Sequence, residues 1–116
     1  MAQKPETTLT NNIRDAIKES YPEAWVFKVF GNPYQTAGVP DLLVCIDGYL
    51  TAIEVKAQRQ NETALHARSR VTPTQVAQLE ALRRAGAEAG VAISVEGALD
   101  LIEGNRFERE ATNVRT

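Results

Sequence analysis

Asp41 and Glu54 are the residues of this chain best placed to do chemistry, and the Asp47-Gly48 dipeptide between them is what places them. Asp-Gly is the strongest short signal for a two-residue β-hairpin loop, because both central residues of a type I′ turn need positive φ. Its flanks, Leu42 to Ile46 and Tyr49 to Val55, are apolar and β-branched enough to be strands. With Asp47-Gly48 as the loop, Ile46 faces Tyr49, and counting back puts Asp41 opposite Glu54. Facing Cβ atoms lie roughly 4.5–5.5 Å apart, and like charges in that position destabilise a sheet. Lys56 follows one pleat further along Glu54's face. Leu43, Cys45, Leu50 and Ala52 share that face, so the acids stand at the rim of a core, where an unpaired carboxylate is costly. A solvent-facing hairpin with alternating charges is the plain alternative, and the apolar neighbours argue against it. A magnesium or manganese ion held by both carboxylates resolves the repulsion, because magnesium takes one or two protein carboxylates and completes its shell with water and phosphate oxygens. Lys56 can then position or help deprotonate an attacking water and offset charge developing at phosphorus.

The elements that must hold these groups can be read from the same pattern. Leu9, Ile13 and Ile17, with Ala16, make one apolar face of a first helix from about Pro5 to Ser20, with Pro5 suited to the first turn. Trp25 to Phe30 is a strand with Trp25, Phe27 and Val29 on one face and Val26, Lys28 and Phe30 on the other. Gly31-Asn32-Pro33 and Gly38-Val39-Pro40 mark a loop leading into Asp41. After the hairpin, Ala57 to Val71 is polar and unpatterned, longer than most connections in compact domains. Thr72-Pro73-Thr74-Gln75 opens a second helix with an N-cap, a Pro at the first position and a Gln three residues past the cap. Val76, Leu79 and Leu82 form its buried stripe, and Gly86 ends it. Gly90 to Val95 reads as a fourth strand, Glu96 to Ile102 as a short helix, and the charged tail from Glu103 as frayed. The order is helix, three strands, helix, strand, helix: an α/β chain with a mixed four-stranded sheet flanked by helices.

With 116 residues the chain fits one domain, and its net charge of −2 does not advertise a nucleic-acid binder. The local balance differs: Lys56, Arg59, Arg68 and Arg70 face a single acid, Glu62, between Lys56 and Arg70. A single cysteine, Cys45, excludes an intrachain disulfide and a Cys-based zinc site. No apolar run approaches the roughly 20 residues that span a bilayer. No signal peptide is visible, so a cytoplasmic setting is the default expectation.

The strings Pro5-Glu6-Thr7-Thr8-Leu9, Lys28 to Gln35, Gly38-Val39-Pro40-Asp41-Leu42-Leu43, Ala52-Ile53-Glu54-Val55-Lys56 and Thr72-Pro73-Thr74-Gln75 occur in an order that resembles the PD-(D/E)xK nuclease superfamily. Within it they are most similar to the small stand-alone VRR-NUC domain of phages and bacteria, also present at the end of the Fanconi-associated nuclease. The resemblance implies a restriction-endonuclease-like core within a single nuclease domain (about 5–102, with the charged tail to 116). It further implies a magnesium- or manganese-dependent endonuclease that hydrolyses DNA phosphodiesters, selective for branched DNA such as four-way (Holliday) junctions. A homodimer and a bacterial or phage-infected cell are expected with it. By the same resemblance, Asp41, Glu54 and the backbone carbonyl of Val55 hold the metal. Glu6 corresponds to an acid on the first helix that completes the site directly or through water. Gln75 corresponds to a glutamine near the catalytic residues.

Several of these residues have a plainer explanation. Glu6 suits the first turn of a helix, whose dipole favours negative charge. Gln75 is the third-position half of a capping box. Lys28, Tyr34 and Gln35 flank the loop before Asp41 and are candidate DNA contacts, as are Arg59, Arg68 and Arg70, with a surface Lys and a loop-anchoring Tyr as the alternatives. His66 has no partner at ligand spacing and reads as a solvated side chain. Two rivals stand beside the junction nuclease: a flap or single-strand nuclease, and a DNA-binding module whose site is vestigial.

Overall fold

The Asp47-Gly48 turn forms as its residue types require, with φ of 52° and 84°. It joins β2 (Leu42–Ile46) to β3 (Tyr49–Val55) in an antiparallel ladder that pairs Ile46 with Tyr49 and ends at Leu42 with Ile53. Asp41 and Glu54 therefore occupy the next rung, as the register argument requires. The computed structural model describes residues 4–31 and 34–113, with side chains as far as 107. Around the hairpin it places α1 (Pro5–Ser20), β1 (Trp25–Lys28), α2 (Ala64–Ser69), α3 (Pro73–Arg84), β4 (Glu88–Ala92) and α4 (Val95–Asn113). Asn32 and Pro33, within the expected loop, and the last residues of the expected tail lie outside the described residues.

The sheet order is β1-β2-β3-β4, antiparallel except for the parallel β3–β4 pair, which the α2–α3 crossover makes possible. One face carries Leu42, Val44, Ile46, Ile53 and Val55 and buries them against Ile13 and Ile17 of α1 and Ala98 and Ile102 of α4. The other face carries Ala52 and Ala89 beneath Leu79 of α3, with Leu43, Leu82 and Val91 around them. β1 is covered on one side only. Trp25 and Phe27 pair with Cys45 and Leu43 on the α3 face, yet they remain 55% and 49% exposed.

The expected order is present, with one extra helix and shifted boundaries. α2 interrupts the segment from Ala57 to Val71, capped by the Thr63 hydroxyl, which accepts from the His66 amide at 3.1 Å. Six residues with one buried member, Ala67, are too few for a helical period to register in sequence. β1 stops at Lys28 rather than Phe30, although the Val29 amide still donates to the Asp41 carbonyl at 2.9 Å. β4 starts at Glu88, and Val95 begins a helix instead of ending a strand, because the Ser94 hydroxyl accepts from the Gly97 amide at 3.0 Å. α4 then runs to Asn113, well past Ile102. Asn105, 4% exposed, holds it to the sheet by donating to the Leu50 carbonyl at 3.1 Å and the Thr51 hydroxyl at 3.0 Å. Val76 was expected in the buried stripe of α3 and is 40% exposed, whereas Leu79 is buried against Ala52 and Ala89. Cys45 is half-buried. Among the described residues, no helix is long and apolar enough to cross a membrane.

The loop before Asp41 is pinned where Gly38 meets α3. Gly38 has φ +80°, and a Cβ there would lie 2.8 Å from the Thr74 backbone. Both the dihedral and the contact exclude a side chain. Gly38→Ala should therefore lower stability by about 1–3 kcal/mol and displace the approach to Asp41, measurable as a lower urea midpoint. Gly31→Ala has open space around it and should leave the midpoint nearly unchanged.

Candidate active site

Asp41 and Glu54 meet at the end of the sheet where β2 begins and β3 ends. Asp41 lies just outside the ladder, and its Oδ2 accepts the Val55 amide at 2.7 Å. That bond replaces the ladder pairing lost at the last rung and points the carboxylate toward Glu54. Glu54 is 3% exposed. Its Oε2 accepts from Gln75 Nε2 at 3.2 Å and lies 3.8 Å from Lys56 Nζ. Burial, and next the facing Asp41 carboxylate, raise the Glu54 pKa from 4.5 to about 8, while Lys56 pulls it the other way. Glu54 therefore favours its protonated form at neutral pH, facing the Asp41 carboxylate.

Gln75 unites the two explanations of it. Its Oε1 accepts the Thr72 amide at 2.9 Å, completing the capping box, while its Nε2 reaches Glu54. The cap fixes the side chain, and the fixed side chain orients the carboxylate. Lys56 is itself nearly buried, and its amide donates to the Ala92 carbonyl at 3.0 Å across the parallel pair.

Glu6 stands apart from the pair, on the first turn of α1. Its side chain is 45% exposed and its Oε1 meets Arg70 Nη1 at 3.2 Å. It shares with Asp41, Lys28 and Phe30 a cleft of about 340 Å³ between α1 and the end of β1. A second cleft of about 370 Å³ runs from Asp41 along Gln35 to Val39. Asp41 is common to both. Among the described residues no three acidic, imidazole or thiol side chains converge tightly enough to form a metal cage. The donor set is a half-buried Asp41 that opens on both clefts with a buried Glu54 behind it, which fits a hard cation that keeps several of its ligands as water or substrate oxygens.

The remaining candidates divide into two groups. Lys28 lines the α1-side cleft, donating to Asn11 Oδ1 at 2.9 Å and lying 5.4 Å above the Phe30 ring. Gln35 lines the second cleft, Arg59 borders a hollow with Glu6 and Ala57, and Tyr34 is 98% exposed. Arg68 and Arg70 are committed elsewhere. Arg68 donates to the Val91 carbonyl at 3.0 Å on the far edge of the sheet. Arg70 binds Glu62 at 2.9 Å, Glu6 and the Ala57 carbonyl. Glu62 is the residue that sequence reasoning passed over. It gathers Arg70 and His66, the latter at 2.7 Å, and Arg70 holds its carboxyl down at about 2. The four-residue spacing of Glu62 and His66 was its visible trace, legible once a helical turn is known to lie there.

Known structures of the same shape bear on this geometry. A VRR_NUC domain superposes with a TM-score of 0.61 at 24% identity, covering 87% of this chain and 97% of that one. The fold is that of the VRR_NUC domain. A second VRR_NUC domain protein matches with a TM-score of 0.61 at 20% identity over 90% of both chains. Hjc of Archaeoglobus fulgidus, a Holliday junction resolvase, matches with a TM-score of 0.54 at 22% identity, over 76% of this chain and 67% of its own. No family sequence model and no curated protein sequence matches the chain. The VRR_NUC fold and the sequence resemblance thus agree, through conformation rather than close identity.

The raised Glu54 pKa makes a pH prediction with a definite sign. Glu54 titrates near 4.5 when unfolded and near 8 when folded, so the folded state holds the extra proton. Its contribution to stability is full below about pH 4.5 and is lost as pH rises through about 8. Glu54→Gln should flatten that decline in metal-free protein, read as melting temperature against pH. A divalent ion must displace the same proton, so its affinity should rise from pH 6 to pH 8 with release of about one proton near neutrality. Calorimetry in buffers of different ionisation enthalpy would measure that release, and a pH-independent affinity would contradict it.

Proposed function

We propose that the protein is a magnesium- or manganese-dependent DNA endonuclease that acts on branched DNA such as four-way junctions. The observation that carries this reading is the buried Glu54 facing a half-buried Asp41, with Lys56 and Gln75 beside them, at the rim of a VRR_NUC-type sheet. The likeness to a Holliday junction resolvase supports the choice of substrate.

Asp41, Glu54 and the Val55 carbonyl would hold the cation, with Glu6 reaching it directly or through water. When bound, the ion supplies Lewis-acid activation of water and of the phosphate. Asp41 keeps its orientation through the Val55 amide, and Glu54 through Gln75. Lys56 positions the attacking water and balances charge at the phosphate as the bond to the leaving oxygen breaks. Lys28 and Gln35 are assigned to the DNA backbone along the two clefts, and Arg59 at the neighbouring hollow and the exposed Tyr34 to DNA beyond them. Arg68 and Arg70 serve more indirectly, by holding the segment after Lys56 in place. Two symmetric cuts in a junction call for two sites related by a twofold axis, so the active species is a homodimer.

Asp41→Asn, Glu54→Gln and Lys56→Ala should each abolish cleavage, by at least about a hundredfold, and leave DNA binding largely intact. Parallel digests of a four-way junction, a flap, a single strand and a plain duplex, with Mn²⁺ or with EDTA, test both chemistry and substrate. Preference for the flap or the single strand would move the substrate. Binding without any cut would favour a module with a vestigial site, and cleavage by Asp41→Asn would remove the metal assignment.

A further inference from the structure

Asp41, Glu54 and Glu6 border one end of the sheet, and their surroundings differ. Asp41 accepts the Val55 amide, and Glu54 is met by Gln75 and Lys56. Glu6 shares the α1-side cleft with Asp41. Burial and the Asp41 carboxylate raise the Glu54 pKa, and the charge of Glu6 adds to them. Glu6 is therefore close enough to feel the other two acids. Among the described residues the three do not converge as a metal cage, and Glu6 instead meets Arg70 Nη1 at 3.2 Å.

Arg70 is held in place without Glu6. Its Nε donates to Glu62 Oε2 at 2.9 Å, and its Nη2 donates to Glu62 Oε1 at 3.2 Å and to the Ala57 carbonyl. Such a two-pronged contact fixes the plane of a guanidinium. Glu62 is anchored in turn, accepting the Arg59 amide at 2.8 Å and meeting His66 Nδ1 at 2.7 Å. The Arg70 and Glu62 side chains are largely buried, whereas that of Glu6 is half-exposed. The main chain of Glu6 is fixed in α1, where its carbonyl accepts from the Thr10 hydroxyl at 2.7 Å. Only side-chain torsions separate a Glu6 paired with Arg70 from a Glu6 turned along the cleft toward Asp41.

We propose that Arg70 is the counter-ion that draws Glu6 away from Asp41 and Glu54 in the metal-free protein, and so sets the affinity of the site for a divalent cation. The inference rests on the nuclease reading in one respect, that Glu6 belongs to the ligand set of the metal. A third anion beside two facing acids adds repulsion, and pairing with Arg70 offsets it. With a dication beside Asp41 the field at Glu6 changes sign, and the carboxylate has two cationic partners to choose between. A single half-exposed ion pair holds weakly, and a hard dication favours carboxylate oxygens. Glu6 then turns to the site while Arg70 keeps Glu62 and the Ala57 carbonyl. Separating Glu6 from Arg70 lowers the affinity that the carboxylates would otherwise show.

The sign of this effect distinguishes it from a structural tie. If Arg70 only braced the segment after Lys56, removing it would misplace the ligands and weaken metal binding. Calorimetric titration of the full chain with Mn²⁺, at one pH and without DNA, should show Arg70→Met binding roughly two- to fivefold more tightly than wild type. In a Glu6→Gln background the same substitution should change the affinity far less. Arg70→Met also leaves Glu62 without its main partner, so a second measurement leaves Arg70 intact. In nitrogen-15 spectra of the wild-type chain, Mg²⁺ should shift the Arg70 Nη resonances and leave Nε, bound to Glu62, nearly unmoved. Glu6→Gln should show the shifted Nη position with or without Mg²⁺. Weaker or unchanged Mn²⁺ binding in a folded Arg70→Met chain would overturn the proposal. So would an equal change in the Glu6→Gln background, or Nη resonances indifferent to Mg²⁺ in a chain that binds it. A wild-type chain that takes up no Mn²⁺ would overturn the nuclease reading and this inference with it. Uptake with an indifferent Arg70 would overturn the inference alone.

Discussion

The hydrogen bond from the Val55 amide to the Asp41 carboxylate is the contact on which the rest of the site depends. Where the β2–β3 ladder ends, the Val55 N–H needs an acceptor, and Asp41 supplies one at 2.7 Å. In doing so it is held against Glu54, a partner it would otherwise repel. Glu54, buried and facing that carboxylate, resists ionisation, so the arrangement favours a proton or a cation there. The backbone pattern of a hairpin thereby creates an electrostatic demand, and the surrounding residues answer it in part.

Each neighbour answers in a different way. Lys56 offers a positive charge from the same strand, and Gln75 offers a neutral donor from a helix cap that would exist without any chemistry. Arg70 ties Glu6, Glu62 and the Ala57 carbonyl together, linking the start of α1 to the segment after Lys56. The site is therefore assembled by contacts among chain segments distant in sequence, with α3 and the Arg70 cluster bracing opposite sides of one hairpin. Its two clefts diverge from Asp41, a shape that suits a chain-like ligand passing through. The sheet edges differ as well: Arg68 and Arg83 close β4 by donating to the Val91 and Ala89 carbonyls, while Trp25 and Phe27 on β1 stack half-exposed.

Much of this was legible from residue order. α1 was readable to its ends because Pro5 and the spacing of Leu9, Ile13 and Ile17 are local signals. The hairpin register was readable because a two-residue turn leaves no freedom in the count. Less could be read where the deciding contact is distant. Val95 looks like a strand residue until Ser94 is seen to cap a helix. The charged run after Glu103 looks frayed until Asn105 is found bonded to β3. Arg68 and Arg70 read as free cations because sequence shows charge but not the acceptors that consume it.

The sequence by itself determined the pairing of Asp41 with Glu54, the placing of Lys56 on the same face, and the cap that fixes Gln75. All of these follow from turn geometry, the two-residue repeat of a strand and the donors of a helix end, which act over a few bonds. Tertiary structure alone decided that Glu54 is buried enough to hold a proton, that Glu6 lies with Arg70, and that arginines close one sheet edge while aromatics lie half-exposed on the other. Burial, ion pairing and edge coverage depend on which surfaces meet, and that is a property of packing across the whole chain.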